Sequence, residues 1–86
     1  MGGVQEAVVK NKLIVELEQC IRKIVEELRE HGVPEEEIMC SLQLAYLWYC
    51  PYRIIHNNPD APKEMVEEMR AYARARAEEL FRRCRV

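Results

Sequence analysis

Apolar side chains recur at steps of three and four residues in the first third of the chain. They are Leu13, Ile14, Leu17, Cys20, Ile21, Ile24, Val25 and Leu28. At 100° per residue these positions fall within an arc of roughly 140°, which is the apolar stripe of an amphipathic helix. The pattern therefore predicts a first helix that starts near Val4 or Glu6 and ends at His31.

The residues after His31 are typical of a helix end followed by a helix start. Gly32 suits the position just past a helix, and Pro34 suits the first turn of the next one. The second helix is predicted over residues 34–55. Pro51 lies inside it and removes the hydrogen bond to the carbonyl of Leu47, so we expect a kink at Pro51.

A loop rich in Asn, Asp and Pro follows at residues 56–62, and a third helix is predicted over residues 61–83. The sequence contains no strand pattern and no internal repeat. Its 86 residues suffice for one small domain. The expected fold is an all-α three-helix bundle with an up-down-up course, formed by residues 6–86 after a flexible leader at residues 1–5.

Three segments place an acidic first turn, a cap and strong helix formers where design rules put them. They are residues 31–38, 58–69 and 71–80. In this the chain resembles computationally designed, idealised three-helix bundles, and the resemblance implies a scaffold or binder rather than a particular chemistry. Pro51, the cysteines and the apolar run around Trp48 depart from that style. Proteins of hyperthermophiles are also rich in Glu and Arg, so both origins stay open.

Cysteine usage and the N-terminal sequence bear on the compartment. The first residues lack the pattern of a secretory signal, and the longest apolar stretch, residues 42–52, is shorter than the roughly 20 residues of a membrane span. We therefore expect a cytoplasmic protein in which Cys20, Cys40, Cys50 and Cys84 are buried free thiols. Structural disulfides, as in hyperthermophile proteins, are the alternative.

The second helix is apolar around its whole circumference. Its two neighbours in a three-helix bundle cover only about half of such a helix, so something else must cover the rest. The predicted interface consists of Leu44, Leu47, Trp48, Tyr52 and Ile55. Trp and Tyr are enriched at binding hot spots, so we expect a homodimer or a complex with a protein partner. The alternative is that the aromatic side chains lie along a groove between the helices.

The sequence predicts no catalytic residue, cofactor site or metal site, and we expect no enzyme. Cys50 and His56 point about 120° apart on a helix, too far apart for a nucleophile and its base. Cys84 is expected near His31, but without the spacing of a zinc motif. His31 is expected to interact with the end of its own helix.

The charge balance argues against nucleic acid as a partner. Lys and Arg total 13 against 15 Asp and Glu, for a net charge of −2. The C-terminal arginines are Arg70, Arg74, Arg76, Arg82, Arg83 and Arg85. They alternate with glutamates, and we expect no aromatic side chain to lie beside them to stack on bases. A small dimeric regulator of antitoxin type that uses these arginines is the second hypothesis. Arg76 and Arg83 project toward the apolar face and are expected to lie along it or to pair with glutamates of the first helix.

Overall fold

The computed structural model describes residues 11–84, and helices make up almost all of this range. The elements are α1 (Lys12–Glu30), α2 (Glu35–Leu44), the π-helical segment π1 (Ala45–Tyr49), α3 (Cys50–Asn57) and α4 (Lys63–Arg83). Because α2, π1 and α3 follow one another without a break, we call residues 35–57 the middle helix. The described range holds three helical rods and no strand, which confirms the all-α class. The predicted leader lies outside the described residues.

Asn11 determines where α1 begins. Its backbone is extended (φ −101°, ψ 92°), and its side-chain oxygen accepts a hydrogen bond from the amide of Leu13 at 3.0 Å. Its amide nitrogen donates to the carbonyl of Met65 and to a carboxylate oxygen of Glu68, both at 3.1 Å. The prediction of one helix running through this position is wrong, because an Asn side chain that caps the helix replaces the backbone bonds of a preceding turn.

The turn from α1 into the middle helix follows the predicted pattern. Gly32 has a positive φ of 78°. Its amide donates to the carbonyl of Arg29, and the amide of Val33 donates to that of Leu28, each at 3.0 Å. This is the Schellman motif, in which glycine avoids the steric cost that a Cβ brings at positive φ. The ring nitrogen Nδ1 of His31 donates to the carbonyl of Glu27 at 2.8 Å, which confirms its expected place at the helix end.

The middle helix changes its winding just before Pro51. The amide of Cys50 donates to the carbonyl of Ala45, five residues earlier, which is the hydrogen bond of a π-helix. Pro51 has no amide hydrogen, and its ring crowds the carbonyl four residues before it. The wider π-helical turn therefore lies where a regular α-helix would meet this clash.

The core is built from side chains at four-residue spacing on α1 and α4, with the middle helix between them. Its members are Leu13, Leu17, Ile21, Ile38, Leu42, Ala45, Tyr46, Cys50, Ile54, Met69, Ala73 and Ala77. Of the three core residues on α4, Ala73 and Ala77 are small, so the middle helix approaches this part of α4 closely.

The four cysteines form two disulfides, and the prediction of free thiols is wrong. Cys20 of α1 bonds to Cys50 at the start of α3, with 6.0 Å between their Cα atoms. Cys40 of α2 bonds to Cys84 after α4, with 5.3 Å between their Cα atoms. Spacing along the chain did not reveal these pairs, because each one joins two different helices whose facing sides are set by packing.

Candidate functional site

Large apolar side chains lie exposed on one side of the middle helix. Leu44, Trp48 and Tyr52 are 63%, 70% and 75% exposed, and they follow one another at intervals of four residues. We call these three residues the aromatic stripe. Leu47 beside it is 41% exposed, whereas Ile55 packs against the core. The structure thus places four of the five predicted interface residues at the surface and leaves Ile55 partly buried.

A groove of about 370 Å³ runs between the middle helix and α4. Leu47, Trp48, Pro51 and Tyr52 line it from the middle helix, and Arg70, Ala73 and Arg74 line it from α4. We call it the aromatic groove. Because Ala73 has no side chain beyond Cβ, the space above it stays open. Two of the three stripe residues, Trp48 and Tyr52, therefore belong to one wall of a concave surface, whereas Leu44 does not line it.

Arg70 and Arg74 bring positive charge to this groove. They lie four residues apart on α4, about 6 Å along the helix axis. Within residues 11–84, neither has a carboxylate at ion-pair distance, in contrast to Arg29 and Arg76. Along α4, Tyr72 lies between them in the sequence, but its hydroxyl donates to Glu18. In space, however, Trp48 and Tyr52 lie across the groove, so the expectation that these arginines lack aromatic companions is wrong in three dimensions.

Aromatic side chains of the middle helix lie on two different sides of it. The rings of Tyr52 and His56 stack with centroids 6.5 Å apart and planes inclined by 13°, which extends the stripe by one turn. Tyr49 lies on the side toward α1, where the guanidinium of Arg53 lies 5.7 Å from its ring centroid. Trp48 and Tyr52 are thus left together on the side that faces α4.

A polar cluster on Glu18 joins all three helical rods behind the groove. The hydroxyl of Tyr46 donates to both carboxylate oxygens of Glu18, at 2.9 and 3.1 Å, and the hydroxyl of Tyr72 donates to the same carboxylate. The Nε of Arg76 lies 3.6 Å from Glu18, and its guanidinium carbon lies 5.6 Å from the ring centroid of Tyr46. This confirms the predicted pairing of Arg76 with a glutamate of the first helix. No such pair forms for Arg83 in the described part of the chain.

The two tyrosines of this cluster are held in their neutral form. Burial, helped by the hydrogen bond to Glu18, raises the pKa of Tyr46 to about 12. The same two causes raise the pKa of Tyr72 to about 12. Both hydroxyls therefore donate to Glu18 throughout the neutral range. Since Tyr46 also lines the groove, the cluster holds the base of the groove in place.

The residues considered for metal binding and catalysis have other partners. Cys84 is bonded to Cys40, and Cys50 to Cys20, so none of these sulfurs is a thiolate ligand or nucleophile in the oxidised protein. Among residues 11–84, no group of three or more His, Cys, Asp or Glu side chains is arranged to hold a metal ion.

None of the helices in the described range is both long enough and apolar enough to cross a bilayer. No protein-family model matches the chain, and neither a curated protein nor a solved structure does.

Proposed function

We propose that this chain is a protein-interaction module that associates through the aromatic stripe and Leu47. The observation that carries this proposal is the exposure of three large apolar side chains on consecutive turns of one helix, 63% to 75% each. Burying one such side chain contributes about 1.5 to 3 kcal/mol. Contiguous exposed apolar surface of this kind marks interaction sites, and Trp and Tyr are the residue types that dominate their energetics.

A homodimer through the stripe is the simplest form of this proposal, and another protein is the other form. The solution mass tests the first form directly. Light scattering on a size-exclusion column gives a mass near twice 10.2 kDa for a dimer, and Trp48→Glu returns it to the monomer. Val15→Glu introduces the same charge on α1, away from the stripe, and leaves the mass unchanged. A dimer that persists in Trp48→Glu contradicts an interface on the stripe.

The course of the three helices is part of the proposal, because it places the stripe beside α4. We propose an up-down-up bundle with the middle helix bent at Pro51. Asn11 contacts Met65, and Glu18, further along α1, contacts Tyr72, further along α4. Because both partners move toward the C-terminal end, these contacts support a parallel course for the two helices. Residual dipolar couplings measured on the folded protein test the helix directions and the bend.

The cytoplasmic location is a proposal that has to accommodate two disulfides. Such bonds persist in oxidising compartments and in intracellular proteins of hyperthermophiles. Fractionation of cells that produce the chain, with thiols alkylated at lysis, tests this: disulfide-linked protein in the cytoplasmic fraction supports it, and disulfide-linked protein confined to the other fractions contradicts it.

One observation favours a second candidate function, nucleic-acid binding. Trp48 and Tyr52 share a groove with Arg70 and Arg74, so bases can stack on the one wall and phosphates can contact the other. Two phosphate contacts predict a slope of about −1.4 in a plot of log K against log salt for a single strand. A titration with a single-stranded oligonucleotide at several salt concentrations measures that slope.

A further inference from the structure

The two walls of the aromatic groove differ in chemistry. One wall is apolar and consists of Leu47, Trp48, Pro51 and Tyr52, whereas the other carries Arg70 and Arg74. Among the described residues, 11–84, no acidic side chain lines the groove. A segment that fits it must therefore present apolar side chains along one edge and negative charge along the next.

The distance between Arg70 and Arg74 matches the distance between two carboxylates on a helix docked in the groove. Side chains four residues apart on one helix lie about 5 to 6 Å from each other. Two carboxylates four residues apart on a docked helix have that same spacing, so each can meet one guanidinium. Guanidinium and carboxylate groups form paired hydrogen bonds of good geometry, which sets the register of the docked helix.

A second copy of the chain fits the groove poorly. In a twofold dimer the same patch faces itself, so Arg70 and Arg74 of one copy would meet the groove-lining residues of the other. Within residues 11–84 no carboxylate lines the groove, so this patch offers the two arginines no opposite charge. A partner of complementary charge supplies what a second copy of this patch lacks. The charge pattern therefore favours a foreign partner.

A nucleic-acid strand is also disfavoured by the surroundings of the two arginines. Glu67 precedes Arg70 by three residues and Glu78 follows Arg74 by four, so both glutamates lie close to the arginines on the helix surface, and both are exposed. A phosphate backbone that runs along this side of α4 meets negative charge within a turn in either direction. Two isolated cations suit two carboxylates better than a continuous phosphate track.

We propose that the aromatic groove binds an acidic amphipathic helix of another protein. Its apolar side chains pack on Trp48, Tyr52 and Leu47, and two of its carboxylates pair with Arg70 and Arg74. This inference rests on the proposed function and names the class of partner for the same surface.

Trp48 is the single tryptophan of the chain, so its fluorescence reports binding without a label. The probe is a synthetic helical peptide with Leu at positions i, i+3, i+4 and i+7 and Glu along one adjoining edge. The comparison peptide carries Lys in place of each Glu. The Glu peptide shifts the emission of the exposed Trp48 to shorter wavelength in a saturable way, and the Lys peptide binds about tenfold more weakly, as two charge pairs of modest strength imply.

Charge reversal at the groove supplies the decisive variant. Arg70→Glu combined with Arg74→Glu reverses the preference, so that the Lys peptide binds the more tightly. Arg82→Glu combined with Arg83→Glu changes the net charge equally on exposed positions of α4 outside the groove, and leaves the preference for the Glu peptide intact. Circular dichroism verifies that both variants keep their helices.

Any one of several results overturns the inference. Among the binding results they are equal binding of the two peptides, an unchanged preference in the Arg70→Glu, Arg74→Glu variant, and tighter binding of a single-stranded oligothymidylate than of the Glu peptide at physiological salt. A dimer that dissociates in Trp48→Glu and ignores the Glu peptide overturns this inference and leaves the proposed function standing. Peptide binding and self-association that both survive Trp48→Glu unchanged overturn the two together.

Discussion

The hydroxyl of Tyr46 in the middle helix donates a hydrogen bond of 2.9 Å to the carboxylate of Glu18 on α1. Tyr72 of α4 donates to the same carboxylate, so one acidic group connects the three helical rods. Tyr46 is almost fully buried and lies at the base of the aromatic groove. The polar cluster and the candidate binding surface thus share a side chain.

Tyr46→Phe is expected to destabilise the fold by about 1 to 2 kcal/mol, because it removes a hydrogen bond to a charged group that is partly shielded from water. Chemical denaturation followed by circular dichroism measures the change. Tyr52→Phe is the control, since the Tyr52 side chain is exposed and leaves stability nearly unchanged. Equal effects of the two substitutions would show that the bond to Glu18 adds no stability.

The cluster makes the protein sensitive to alkaline pH. The folded state raises the pKa of Tyr46 and of Tyr72 from 10.0 to about 12. A raised pKa favours the neutral hydroxyl in the folded state, so this stabilisation is complete below pH 10 and is lost as the pH rises toward 12. A titration of tyrosinate absorbance, run beside circular dichroism, should show two tyrosines that ionise late, together with loss of helix.

Removing both hydroxyls tests that assignment. In the double variant Tyr46→Phe, Tyr72→Phe, the late-ionising absorbance should disappear. A late phase that stays unchanged in this variant would assign it to other tyrosines and contradict the environment described for Glu18.

The disulfides should account for much of the stability of so small a domain. In the chain-entropy model, cross-links across 30 and 44 residues contribute about 3.5 and 4 kcal/mol when taken singly. We expect Cys40→Ser, Cys84→Ser to lower the midpoint of thermal unfolding markedly, and a reductant to lower it further. A peptide map without reductant should recover Cys20 linked to Cys50 and Cys40 linked to Cys84. Any other pairing contradicts the helix packing described above.

Asn11 combines two roles that substitution can separate. Asn11→Ala removes the cap of α1 and both contacts to α4, for an expected loss of about 2 kcal/mol. Asn11→Asp keeps an oxygen to cap the amide of Leu13, but loses the amide donor and places a negative charge beside Glu68. Unfolding free energies of the two variants, with Lys12→Ala as control, separate the cap from the contacts. A stability unchanged in both variants would assign no role to Asn11.

Local sequence patterns predicted the helices and the turn between α1 and the middle helix. The apolar spacing from Leu13 to Leu28 is that of a helix face, and Gly32 takes the positive φ expected after the last turn. Such features depend on neighbours within one or two turns, so a sequence displays them directly. The start of α1 was missed because the capping role of Asn11 is reinforced by Met65 and Glu68, which are distant in sequence.

The candidate site was predicted in part. An apolar helix that two neighbours cannot cover must expose some of its side chains, and Leu44, Trp48 and Tyr52 are exposed as this logic requires. Arg70 and Arg74 were not expected beside them. Nothing in the local pattern of α4 indicates which of its sides faces the aromatic wall of another helix.

The sequence by itself therefore determined the helices, their apolar faces and the excess of apolar surface on the middle one, because each follows from the periodicity of side chains along a single helix. Only the tertiary structure decided which cysteines pair, which carboxylate accepts the hydrogen bonds of Tyr46 and Tyr72, and which arginines face Trp48. Those outcomes depend on how each helix is rotated about its axis and shifted along its neighbours. Packing of the whole core sets that rotation and shift, and no single segment encodes them.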